Sequence, residues 1–315
     1  MTFQGNDSTR ENTARSLDPS FLPLHLSHYP GVGVGQDAYP EPLANDKTLE
    51  RAIRNLDRTP VLELHKVGVM YVAPGQTTEA EILSNSAGSP AYASFLANLG
   101  HIVKLKDQRT VYPGGLDTAS NLDGEYAYVW WDEIAQIVFH AATMMPNFSH
   151  DPHRVFKKRH IGNDWVRIVW NDSGESYRFD TLNTEFQLIN IIIEPHSAGI
   201  TAAYSNSAHE NEFFKLTLQR AKGVPEFGPL GEFKLLSLRN LPSYVRGISL
   251  FASLFAQVYD FTKHDTRHEE YVTNWRQRLK IIKSLRKVSA AEDHSPRAAD
   301  EGGGKVEHGD FTSLL

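Results

Sequence analysis

Runs of β-branched and aromatic residues, separated by cleanly punctuated helical segments, constrain this 315-residue chain more than any other feature. The runs lie at 66–73 (KVGVMYVA), 125–132 (EYAYVWWD), 134–145 (IAQIVFHAATMM), 164–172 (DWVRIVWND) and 185–195 (EFQLINIIIEP). Their composition favours strands, and 101–107 alternates as a further one. Between them, 45–58 places Leu49, Ala52, Ile53 and Leu56 at helical spacing behind an Asn/Asp cap. Residues 77–85 begin on a Thr cap, and 89–100 have Pro90 in the first turn and Gly100 at the end. Residues 242–262 read as a long helix opened by Pro242-Ser243, whereas 206–221 fit helix or strand. This mixed order predicts an α/β (α+β) fold: a central mixed β-sheet flanked by helices.

Composition removes several classes of function. There is no cysteine, which excludes disulfides, thiolate metal sites and cysteine nucleophiles. The net charge of -6 argues against a general nucleic-acid binder. The first residues lack the apolar centre of a signal peptide, and no run approaches the ~18 apolar residues of a membrane span. A cytoplasmic protein is the expectation.

The chain divides into a Pro/Gly/Ser/Asn-rich leader or upstream remnant (1–45), a main domain (46–265), a basic helix (266–288) and a polar, mostly disordered tail (289–315). Glycines in 29–42 lack the strand and helix that a dinucleotide loop needs, and Pro40 and Pro42 oppose both. In 273–287, Trp275, Leu279, Ile282 and Leu285 share one face, with six cations around them. Such a helix either packs its Trp275 face on the domain or binds calmodulin or an anionic membrane through 273–288.

No phosphate-binding loop, nucleophile elbow, zinc-protease helix or kinase signature is present. His150, Asp151, His153 and His160 fit no common zinc spacing. The unusual stretch is DPHRVFKKRHIGNDWVRIVWND (151–172). Asp151 as cap and Pro152 at the first helical position predict a helix to about His160. Arg154, Lys157, Lys158 and Arg159 place four cations in it, where the helix dipole favours them. Gly162 disfavours a helix interior and permits close approach. Asn163 shares a face with Arg159 and His160 if the helix continues. An amphipathic strand is expected from Trp165. The plain reading is a solvated basic helix ending on Asn; the alternative is a cationic ridge facing phosphate.

KKRHIGND (157–164) resembles the block carrying the catalytic asparagine of the Rap/Rheb-type GTPase-activating family. It is accompanied, in the family's order, by blocks similar to those at 65–76, 81–107 and 111–117. Further blocks at 123–146, 169–177, 239–246 and 274–287, and the closing 310–312, are similar to the Rheb-directed branch. The resemblance implies that Asn163 enters a small GTPase and orients the attacking water, as a glutamine does in Ras. It implies that His160 contacts the GTPase or buttresses the helix, and that Lys157, Lys158 and Arg159 supply positive potential. Arg159 as an arginine finger is the alternative. Asp164 would fix the helix end or Asn163, Gly162 would allow close approach, and Arg246 would be structural or docking. No cofactor or metal is implied, since GTP and Mg²⁺ belong to the GTPase. The implied partners are Rheb and, for the intact protein, hamartin, with lower TOR signalling at endomembranes such as the lysosome or vacuole surface.

Overall fold

Residues 63–72 alternate side chains to both sides of the backbone, and apolar residues at most positions bury both faces. They form β1 (Glu63–Val72) near the middle of the sheet. The structure is a computed structural model, and it describes residues 47–197, 213–228, 232–264 and 271–292. The other strands are β2 (His101–Lys104), β3 (Tyr126–Trp131), β4 (Ala135–Ala141), β5 (Val166–Asn171), β6 (Ile189–Ser197), β7 (Phe213–Arg220) and β8 (Lys234–Ser237). The helices are α1 (Lys47–Arg58), α2 (Glu79–Leu83), α3 (Pro90–Leu99), α4 (Val155–Ile161), α5 (Leu241–His264) and α6 (Asn274–Glu292).

One mixed sheet runs in the order β2-β3-β4-β1-β5-β6-β7-β8. β4, β1, β5 and β6 are parallel, and an antiparallel pair flanks them on each side. The expected central mixed sheet flanked by helices is therefore observed. Parallel strands need both faces covered. On one face Val67, Val69 and Tyr71 of β1 join Ile137, Phe139, Ile168 and Trp170, under α3 and α5. On the other, Met70 and Val72 join Val169 and Ile192, under Ile82 and Leu83 of α2 and Ile161 of α4. The period of two in a strand makes this division. Trp170 is fully buried against Tyr92, Phe95 and Phe214. Truncating such a side chain to Ala costs about 3–5 kcal/mol.

The chain divides into two compact units, Pro60–Gln277 and, among the described residues, those before 60 with those after 277. In the second, Arg278 donates to the carbonyls of Leu56 and Thr59, at the end of α1. Trp275, Leu279 and Ile282 of the basic helix are exposed. That helix continues to Glu292, beyond its expected end. The leader 1–45 and the tail from 293 lie outside the described residues.

Other departures have local causes. The strand expected over 134–145 ends at Ala141, and a 3-10 turn follows at Ala142–Met144. Of 206–221, Phe213–Arg220 is strand. β5 is buried at every position, so it is not amphipathic: it lies between β1 and β6 with helices on one face and α4 on the other. The helix expected from Pro152 begins at Val155. Arg154 takes a left-handed conformation (φ 55°) that inserts a turn, and its guanidinium holds that turn through Phe148 O, Asp151 O and Ser84 Oγ. Asp151 still caps, receiving the amides of Val155 and Phe156.

Candidate functional site

The site is the C-terminal turn of α4 with the cleft beside it. The cleft has a volume of about 520 Å³, and its lining includes Lys66 of β1, His140 of β4, Gly114 and Asp123 of the connection between β2 and β3, and Arg159, His160 and Asn163. It lies within the unit Pro60–Gln277.

α4 is tied down at every cation that its sequence displays. Lys157 is turned inward, 1 % exposed, with Nζ 3.3 Å from Asn85 O. Burial, with Arg154 nearby, lowers its pKa to about 8. Lys158 pairs with Glu79 of α2 at 2.8 Å. Arg159 pairs with Asp123 at 2.6 Å and lies over the Phe156 ring. The stretch is therefore not a free cationic ridge. Glu79 and Asp123, which neutralise it, come from elements far away in sequence.

His160 Nε2 lies 2.9 Å from Asp123 Oδ1. A carboxylate only accepts, so Nε2 carries the proton. The Arg159 Nε at 3.1 Å then packs beside this nitrogen without donating to it. Burial raises the Asp123 pKa, but hydrogen bonds from His160, the Asp117 amide and Arg159 outweigh it and hold the carboxyl below the usual range. The loop itself is wound on Asp117, whose carboxylate receives the Ser120 hydroxyl and the amides of Ala119, Ser120 and Leu122.

Beyond Gly162 the chain leaves the helix. Gly162 is buried at its end, and a Cβ there would lie 2.5 Å from Lys158 O and 3.1 Å from Thr184. Arg167, wholly buried on β5, donates to Ile161 O, Gly162 O, Leu182 O and Thr184 Oγ1. Its guanidinium thus caps the carbonyl end of α4, where a cation is favoured. Burial lowers its pKa to about 10, which leaves it charged at neutral pH. Asp164, also buried, receives the Nδ1 proton of His140 at 2.8 Å.

Asn163 is exposed at the cleft, as is Arg159, whose guanidinium is held by Asp123. Its Nδ2 donates to Arg159 O at 2.7 Å. A carbonyl only accepts, which fixes the amide's sense. One amide hydrogen and both lone pairs of Oδ1 remain for a visitor.

Of the residues singled out from sequence, His160, Arg159, Asn163, Gly162 and Asp164 gather here. Lys158 flanks them and Lys157 lies beneath. Arg246 does not join them. It donates to Asn98 O and Leu99 O at the end of α3 and stacks over Trp130, on the opposite side of the sheet from α4. Lys66, His140, Asp123, Glu79 and Arg167 escaped the sequence reading. His140 and Arg167 carried one signal, a lone polar residue inside an apolar strand.

Comparison with known proteins gives the class of this chain. Residues 82–284 match the Rap/ran-GAP family, to which the chain belongs. It is 38 % identical to a tuberous sclerosis 2 protein homologue of Schizosaccharomyces pombe, covering 94 % of this chain and 22 % of that protein. It is 34 % identical to the Ral GTPase-activating protein subunit alpha-2 of Mus musculus, over 67 % of this chain and 10 % of that one. The chain thus spans about a fifth or less of these relatives' length. A solved structure, of the TSC2 GAP domain, matches with a TM-score of 0.57 and 44 % identity, covering 63 % of this chain and 99 % of that one. This agrees with the tuberin branch, to which the blocks at 123–146, 169–177, 239–246 and 274–287 point.

Proposed function

We propose that this chain is the catalytic domain of a GTPase-activating protein, and that Asn163 supplies the group its partner GTPase lacks. The supporting observation is the exposed carboxamide of Asn163 at the cleft, on a turn whose other side chains are held in place. GTP hydrolysis on Ras-type proteins needs a positioned water and stabilised phosphoryl charge. Oδ1 accepts from the water, and the free amide hydrogen donates to a phosphate oxygen. Such activation is worth about 10³–10⁵-fold, or roughly 4–7 kcal/mol of barrier. GTP and Mg²⁺ are the partner's, and this chain brings no cofactor. Arg159 is salt-bridged to Asp123, which weakens its case as a finger. Lys158, Arg159 and His160 flank the docking surface, while Lys157, Gly162 and Asp164 support the turn from within.

Rheb is the proposed substrate, from the resemblance of 157–164 and its accompanying blocks to the Rheb-directed branch, with restraint of TOR signalling as the consequence and hamartin as partner of the longer protein. Ral is the second reading, carried by the Ral-directed relatives at 34 % identity.

The test is phosphate release from Rheb, Rap and Ral loaded with GTP, with the native chain and Asn163→Ala. The native chain should accelerate one of them, Rheb most, and the variant should lose at least about 100-fold while melting at the same temperature. Equal rates from both would remove Asn163 from the mechanism. Binding without acceleration by the native chain would make it an adaptor.

A further inference from the structure

Two carboxylate–imidazole pairs hold the turn that carries Asn163, one on each side of it in sequence. On the first side, Asp123 Oδ1 meets Arg159 Nη2 at 2.6 Å and His160 Nε2 at 2.9 Å. Its Oδ2 receives the Asp117 amide at 2.7 Å, so both oxygens are committed and the helix is tied to the loop. On the second side, Asp164 is tied to β4 through His140 Nδ1 at 2.8 Å. The two imidazoles touch edge to face, their centres 5.4 Å apart. Asn163 sits between these anchors, and its own amide N–H donates to His160 O at 3.0 Å.

We propose that Asp123 and His140 are positioning residues that together set the direction in which the Asn163 carboxamide projects. The proposal rests on the reading of Asn163 as the group that enters the GTPase. Neither residue reaches a partner: Asp123 is 3 % and His140 1 % exposed. Each acts through a residue of the turn. The leverage is large. A tilt of about 20° at the end of α4 moves the carboxamide by about 1 Å, and a misplacement of that size costs roughly 10²-fold in rate.

The chemistry states which atom of His140 matters. Asp164 is a buried carboxylate, and it needs a donor there. A hydrocarbon in place of His140 leaves that charge without its partner. His140 Nε2 has no partner, and Gly114 covers it so closely that a Cβ at that position would come within 2.8 Å of the nitrogen. The ring is wedged between Asp164, His160 and the Gly114 backbone, which fixes its plane as well as its proton.

The test compares His140→Asn, which keeps a nitrogen donor near the Nδ1 position, with His140→Phe, which keeps a ring without the donor, and with Asp123→Ala. Two readouts are taken on the whole chain: the dependence of the stimulated phosphate release from Rheb on the concentration of GTP-loaded Rheb, and the NMR signals of the Asn163 side-chain amide, assigned by their loss in Asn163→Ala. His140→Phe and Asp123→Ala should lower the maximal rate at least about tenfold with the half-saturating concentration changed less than about threefold, and should shift the amide signals. His140→Asn should retain most of the rate and the native signals. Native rates in His140→Phe, or a loss that lies wholly in half-saturation, would overturn the proposal. So would a folded His140→Asn as poor as His140→Phe. If His140→Phe does not fold, Asp123→Ala, on a loop outside the sheet, decides the matter by the same two readouts. A native chain that stimulates no GTPase would sink the reading of Asn163, while the amide signals would still report whether the pairs orient it.

Discussion

The ammonium of Lys157 is held where water does not reach it, and burial, with Arg154 nearby, lowers its pKa from 10.5 to about 8. Below pH 8 the folded and unfolded chains are both protonated, so the fold carries the whole desolvation penalty. As pH rises from 8 toward 10.5 the folded state gives up its proton first, and the penalty is lifted. Lys157→Met should therefore stabilise the chain near pH 7. The lowered pKa corresponds to about 3 kcal/mol, offset by about 1 kcal/mol for the donor lost to Asn85 O. Thermal melts at pH 7 and pH 10 check this: the advantage of Lys157→Met should shrink at the higher pH. The residue scale is also where the sequence is least legible. Asn163, Arg159 and His160 were visible because they sit together in one short block. Asp123, Glu79 and His140 were not, because spacing along a helix carries no information about a carboxylate or imidazole brought up from another element. Arg167 and His140 stood out only as polar residues inside WVRIVW and VFHAAT, a pattern that announces a buried partner without naming it.

Among the elements, α4 departs furthest from its sequence pattern. Asp151-Pro152 reads as an immediate helix start, yet the Arg154 hydrogen bonds to Phe148, Asp151 and Ser84 hold an extra turn ahead of it. Ser84 comes from a distant element, so propensity could not reveal it. The strands were easier, since a strand buried on both faces is a plain apolar run, and β1, β4 and β5 fall where such runs lie. The other end of α4 depends on Gly162. Its missing Cβ lets the turn close over Lys158 O and against Thr184. Gly162→Ala should force that turn outward, cost about 1–3 kcal/mol of stability, and lower stimulated hydrolysis more than a comparable destabilisation elsewhere. Thermal melts and phosphate-release rates compared with Trp170→Phe, a core change remote from the cleft, would show the difference.

Across the whole molecule, the net charge of -6 and the internal pairing of α4's cations bear on how a GTPase is met. A bare cationic ridge would steer an acidic partner and lose that steering in salt. With Lys158 held by Glu79 and Arg159 by Asp123, the half-saturating GTPase concentration should rise less than about threefold between 50 and 300 mM salt. Glu79→Gln, which releases Lys158, should tighten association at low salt and make it more salt-sensitive. Titrations at several ionic strengths measure both. The Asn163 Nδ2 bond to Arg159 O bears on the same encounter through entropy. A free asparagine side chain turns about two bonds and must be frozen when a partner closes around it, at about 0.5–1.5 kcal/mol for an immobilised side chain. Here the helix has already stopped that rotation, so the GTPase meets an amide whose oxygen points one way before contact is made.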